Sequence, residues 1–180
     1  MSETPEPRYS TAAIWLHWLI AALLLFMVVL GYYMLTVPTN TPERAFTLNL
    51  HKSVGLLTFA VVLVRLVWRR LHPPPALPAM PAWQVRAAQL SHFLLYAGMV
   101  LQPVTGYLAS SFGKYGVKFF GLPTPQWGWE DTDLRALFVT AHHTIIVIFL
   151  VAIALHTAAA FKHLLIDRNQ VFHRMLPRRR

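Results

Sequence analysis

Four long apolar stretches constrain this chain more than any other feature. They run over residues 12–37, 48–68, 87–112 and 136–161. Each is long enough to cross the ~30 Å hydrocarbon of a bilayer, which takes about 20 helical residues. The first contains no charge and stops at Pro38, and the fourth is uncharged and closes on Lys162. The third is uncharged as well, with Gln102-Pro103 expected to kink it, because proline withholds a backbone N–H inside a helix. Lys52 and Arg65 lie within the second, near its ends, where long basic side chains reach back to the interface. Lipid offers no partner for backbone N–H and C=O groups, so stretches of this kind must be helical. The expected fold is all-α, an integral membrane four-helix bundle forming a single transmembrane domain over residues 1–180. No internal repeat is evident.

Composition agrees. Apolar residues make up 56% of the chain and charged residues only 13%, about half the charged share of a soluble domain. Such hydrophobicity excludes a disordered chain. The formal charge of +9 would suggest nucleic acid in a hydrophilic protein; here the basic residues flank membrane helices, so no nucleic-acid partner is expected. Glu3 and Glu6 precede the first span where a signal peptide carries basic residues, so that span is expected to be retained. With both chain ends on one side, that side holds eleven Lys and Arg against five on the other. The positive-inside rule then places both ends in the cytoplasm. Split by side, the charge is about +8 inside and +1 outside. The Pro-rich segment 72–81 becomes an inside loop, and 113–133, with Trp127 and Trp129, an outside loop lying along the interface. The basic tail Arg178 to Arg180 reads as a topology signal rather than an RNA or lipid site.

The chain has no cysteine, which rules out disulfides, thiolate metal sites, Fe–S clusters and covalent c-type haem. It has nine histidines. Ionisable residues inside a membrane are costly and usually functional. His17 lies about a turn into the first span, His51 opens the second at the other face, and His92 lies in the cytoplasmic part of the third. The fourth span carries His142 and His156, with His163 just beyond. Fourteen residues separate His142 from His156, a rise of about 21 Å that returns nearly to the same helix face. Each has a partner at its own depth: His142 with His51, and His156 with His17.

Paired imidazoles at two depths, with no thiolate or carboxylate nearby, suit haem iron with both axial positions filled. Zinc wants four ligands, which neither layer supplies visibly. Without an attachment motif the haem is b-type. A lone histidine on an apolar helix face is more often a hydrogen-bonded core residue than a ligand; the pairing is what argues otherwise. His143 points about 100° away from His142 and is assigned no ligand role. His72 and His173 lie in polar flanks and carry no inference. His92 has three readings: an inner ligand in place of His17, a quinone-pocket residue, or a donor to a carbonyl. Arg65 shares a helix face with His51 at the inner depth, where it could pair with haem propionates or serve as an ordinary inside flank. Gly55 could admit a flat macrocycle or simply tighten helix packing.

At these residues the sequence resembles the bacterial cytochrome b561 family, four-helix di-haem membrane proteins related to hydrogenase-type cytochrome b subunits. The matching segments are Ile14 to Trp18, His51 to Gly55, and Val64-Arg65-Leu66 followed by Arg69 and the Pro-rich loop. Further along come Ser91-His92 with Tyr96, Pro103 to Gly106, Leu155-His156 with Ala158 to Ala160 and His163, and Arg174 to Pro177. The resemblance implies two non-covalent b haems, held by His17 with His156 and by His51 with His142. It also implies electron exchange with ubiquinone in the bacterial inner membrane. One branch of the family oxidises superoxide at the periplasmic side and passes the electron to quinone, so the expected activity is a superoxide:ubiquinone oxidoreductase. His163 matches a family histidine near the inner haem and is the expected quinone-side residue, with Trp18 and His92 as further candidates.

Bis-histidine ligation leaves no open position on iron, so superoxide would give up its electron without binding metal. Lys52, Lys114 and Lys118 on the outside could attract a small anion, with Glu130, Asp131 and Asp133 diluting their field. Two other readings stand beside this one. The chain could be a cytochrome b subunit carrying electrons between quinone and a partner dehydrogenase or soluble cytochrome. It could also be a haem-free channel or structural bundle with buried histidines.

Overall fold

The computed structural model describes residues 8–76 and 80–177. Glu3, Glu6, the basic tail 178–180 and three residues of the Pro-rich loop lie outside the described residues. Four helices dominate: α1 (Thr11–Thr36), α2 (Pro42–Leu71), α3 (Ala82–Ser111) and α4 (Thr132–Leu165). All four are long and apolar enough to span a membrane. A two-stranded antiparallel ribbon, β1 (Lys118–Phe119) and β2 (Leu122–Pro123), sits in the α3–α4 loop, and a 3-10 turn covers His173–Met175.

The helices outrun the apolar stretches that announce them. α2 begins at Pro42, not residue 48, with Thr41 as N-cap and proline in its first turn, where the missing N–H costs nothing. α4 begins at Thr132, where the Asp131 carboxylate accepts from the N–H groups of Asp133 and Leu134. Hydrophobicity marks where a helix meets lipid; capping residues mark where it ends. Pro103 lies inside α3, which continues through it.

The bundle is two antiparallel hairpins, α1 on α2 and α3 on α4, with α2 and α3 in lighter contact. Gly98 lets α3 and α4 close together: a Cβ there would stand 2.4 Å from Cδ2 of Phe149. Phe149 is buried against it, seven residues from both His142 and His156. Leu25, Val29, Val147 and Val151 face outward, as in a bundle whose solvent is lipid and whose interior favours small residues. Three buried hydroxyls are satisfied locally, whereas the buried Ser111 Oγ has no hydrogen-bond partner among the described residues. Ser53, Thr58 and Thr105 donate to the carbonyls of Asn49, Val54 and Leu101 at 2.8, 2.7 and 2.8 Å.

Two ends result. One carries both chain ends and the α2–α3 loop. At the other, the α3–α4 loop folds back over the helices: Lys52 Nζ donates to the Gly116 carbonyl at 2.9 Å, and the Phe120 N–H donates to Ser53 Oγ at 2.9 Å. Gln126 donates to the Ser111 carbonyl, and Tyr107 to the Pro125 carbonyl. Trp127 and Trp129 remain exposed on this loop.

Candidate haem sites

Each expected histidine pair is brought together. At the loop end, His51 of α2 and His142 of α4 stand 6.5 Å apart between ring centres, with ring planes 75° apart. At the chain-terminal end, His17 of α1 and His156 of α4 stand 6.3 Å apart, 67° between planes. Two imidazoles on opposite sides of one metal, each through a bond of about 2 Å plus half a ring, stand about 6 Å centre to centre. The side chains present fit the group on that measure.

The loop-end pair is built mainly by α3. His142 Nδ1 donates to the Gln102 carbonyl at 2.9 Å, with Thr105 Oγ1 at 3.3 Å. With the proton on Nδ1, Nε2 holds the lone pair that a metal takes; the Gln102 amide, at 3.2 Å, donates to it. Gly106 makes room, since a Cβ there would lie 3.0 Å from Cε1 of His142. His51 Nδ1 is buried and has no hydrogen-bond partner among the described residues, and Gly31 of α1 faces its Cε1. A buried ring nitrogen without a partner is a group awaiting one.

The chain-terminal layer is more crowded. His92 of α3 lies 5.6 Å from His156, nearer than His17 does. Arg65 donates to the Ala13 carbonyl at 3.0 Å, tying α2 to the start of α1 beside this layer. Trp18 packs edge-on to His17, 5.4 Å away, and donates through Nε1 to the Met175 carbonyl at 2.7 Å; it anchors the C-terminal segment. His163 Nδ1 lies 3.0 Å from Asp167 Oδ2, which also pairs with Lys162 at 2.6 Å. Asn169 Nδ2 approaches the same ring nitrogen at 2.9 Å. The Lys162 ammonium bonded to Asp167 holds its carboxyl below the usual carboxylate range. His143 faces outward on α4, and Gly55 faces the Met27 methyl of α1, so helix packing accounts for it.

Among the described residues, no three His, Asp or Glu side chains converge as a metal-binding group. The loop-end donor set is a pair, and at the chain-terminal end His17 and His92 both approach His156; a two-imidazole set suits an iron whose remaining ligands come from a macrocycle. Gln102, Gly106 and Gly31 carry no site role in the sequence reading. The available signal was Gln102 and Thr105, two polar residues in an apolar span at the depth of His142.

Four apolar helices presenting paired imidazoles at two depths define a membrane cytochrome of the electron-transfer class. The family model of the prokaryotic cytochrome b561 matches residues 8–178, and the chain belongs to that family. It is 28% identical over 178 residues to "Cytochrome b561 homolog 1" of Escherichia coli (strain K12), covering 96% of this chain and 99% of the relative. It is 30% identical to "Cytochrome b561 homolog 2" of the same organism over 97% of this chain and 94% of the relative. The "Probable superoxide oxidase CybB" of Yersinia pestis is 23% identical over 96% and 98%. The protein is a multi-pass protein of the bacterial inner membrane that binds haem b and transfers electrons across the membrane. The haem-free alternative is set aside with that membership.

Proposed function

We propose that the chain holds two b haems, one between His51 and His142 and one between His17 and His156, and moves electrons from superoxide outside to ubiquinone at the cytoplasmic side. The observation that carries this is the repeated His–His spacing, 6.5 and 6.3 Å, at two depths of one bundle. The name of the Yersinia pestis relative supports the superoxide reading, and the Lys/Arg bias supports the orientation.

When bound, haem held by His51 with His142 and by His17 with His156 would supply one-electron redox chemistry. Two superoxide anions each lose one electron to become dioxygen, and quinone gains two electrons and two protons to become the quinol. The protein's work is to orient, exclude water and deliver protons. The Gln102 carbonyl fixes the His142 ring. Phe149, buried on α4 midway between His142 and His156, fills space between the layers. Arg65 stands beside the inner layer, suited to propionates. His163, braced by Asp167, is the residue assigned to quinone protonation, with Trp18 and His92 as further quinone-side candidates.

Stopped-flow reduction by superoxide, with and without ubiquinone, tests the reading. Rapid reduction of the isolated protein and reoxidation by quinone are expected. The rival reading, an anchor for a redox partner, draws on the exposed Tyr115, Trp127 and Trp129 of the loop. Activity that appears only with a co-purifying redox subunit would select it.

A further inference from the structure

At the chain-terminal end, α1, α2 and α3 enclose a cleft of about 20 Å³ lined by Tyr9, Arg65, Trp68, Arg69, His72 and Tyr96 among others. Its two arginines are four residues apart on α2, hence neighbours on one helix face. Arg65 spends one N–H on the Ala13 carbonyl. Arg69 lies over the Tyr96 ring, 5.5 Å from its centre, and makes no hydrogen bond or ion pair among the described residues. Two like charges side by side repel, more strongly as water withdraws.

No described carboxylate relieves them. Asp167, the one described acid at this end, is held by Lys162 and His163. Glu43, Glu130, Asp131 and Asp133 belong to the other end of the bundle. The rest of the cleft is aromatic and fixed: Trp68 Nε1 donates to Ser10 Oγ at 2.9 Å, and His72 stacks on Trp68 with ring centres 4.0 Å apart. Trp and Tyr gather at headgroup depth, and guanidinium forks match phosphate oxygens. The water-sized space of about 20 Å³ in the cleft is enough for a phosphate oxygen.

We propose that this cleft is a specific site for the phosphodiester of an anionic membrane phospholipid, held between Arg65 and Arg69 against the Tyr96 wall. It shares Arg65 with the proposed electron-transfer reading, and R69Q, which leaves Arg65 in place, separates the two. The experiment is native mass spectrometry of the detergent-solubilised holoprotein titrated with phosphatidylglycerol, with phosphatidylcholine of the same chains, and with inorganic phosphate. One phosphatidylglycerol is expected to be retained about tenfold more tightly than phosphatidylcholine. R69Q should abolish that preference. R70Q, at the same helix end but outside the cleft, should keep it. Should R69Q yield no holoprotein, Y96L leaves both charges and should weaken the preference. Equal retention of the two lipids by the wild type, or the same loss in R70Q as in R69Q, overturns the proposal. Displacement of the lipid by millimolar inorganic phosphate also overturns it, marking a free-phosphate site.

Discussion

The Nδ1–H of His142 donates to the main-chain oxygen of Gln102 across 2.9 Å, and that one bond settles which nitrogen of the ring carries the lone pair. It is a main-chain acceptor, so no side-chain substitution at Gln102 removes it. The Gln102 side chain acts separately, donating its amide to Nε2 at 3.2 Å.

Two substitutions on α3 should therefore part company. In G106A the new methyl lies 3.0 Å from Cε1 and 3.2 Å from Nδ1 of His142, and tight interiors do not absorb such overlap without displacement. Loss of the outer haem is expected, with the inner one retained. Q102L removes only the amide competing for Nε2 and should keep both. Haem per chain by pyridine haemochrome checks this; equal loss in both variants would contradict it.

Gly98 on α3 faces the Phe149 ring on α4, where a Cβ would stand 2.4 Å from Cδ2. G98A should destabilise by about 1–3 kcal/mol through overpacking and lower Tm. In G98A/F149A the two costs should be clearly less than additive, because the residues share one contact. Thermal melts followed by the haem band read both; strict additivity would show that the residues do not meet.

The steering idea narrows on the structure. Lys52 is tied to the Gly116 carbonyl, so its replacement also loosens the loop, whereas Lys118 is exposed. K114Q/K118Q should slow superoxide oxidation at low ionic strength and match the wild type near 1 M salt, where the Debye length is about 3 Å. Unchanged rates at low salt would end the steering idea.

Asp167 has a depressed carboxyl pKa through its bond to Lys162. A depressed acid contributes fully above its unfolded value of about 3.9 and loses that contribution as pH falls through the folded value. The Lys162–Asp167 pair should thus keep this contribution above about pH 5, roughly a unit above that value. If His163 protonates quinone, D167N should shift the pH profile of quinone reduction while leaving superoxide-driven haem reduction unaltered. A uniform loss of both steps would assign Asp167 a merely structural part.

Much of this was legible in the sequence because a membrane forces it. Backbone satisfaction made the four spans helices, and a 14-residue spacing put His142 and His156 on one face. What stayed hidden depends on how helices face each other. That Gln102 and Gly106 meet His142 follows from α3–α4 register, which no single-helix pattern carries. The start of α2 at Pro42 rests on a polar cap, invisible to hydropathy. His92 had three readings in the sequence because single-helix pattern does not show that its ring lies 5.6 Å from His156, where it competes with His17.

That competition makes the ligand pairing the point to test. Haem content and reduced spectra of H17A, H51A, H92A, H142A and H156A, purified under identical conditions, address it directly. H51A and H142A should lose one and the same haem, H17A and H156A the other, and H92A should keep both. If H92A lost a haem while H17A kept two, the inner pair would be His92 with His156 and the assignment made here would be wrong.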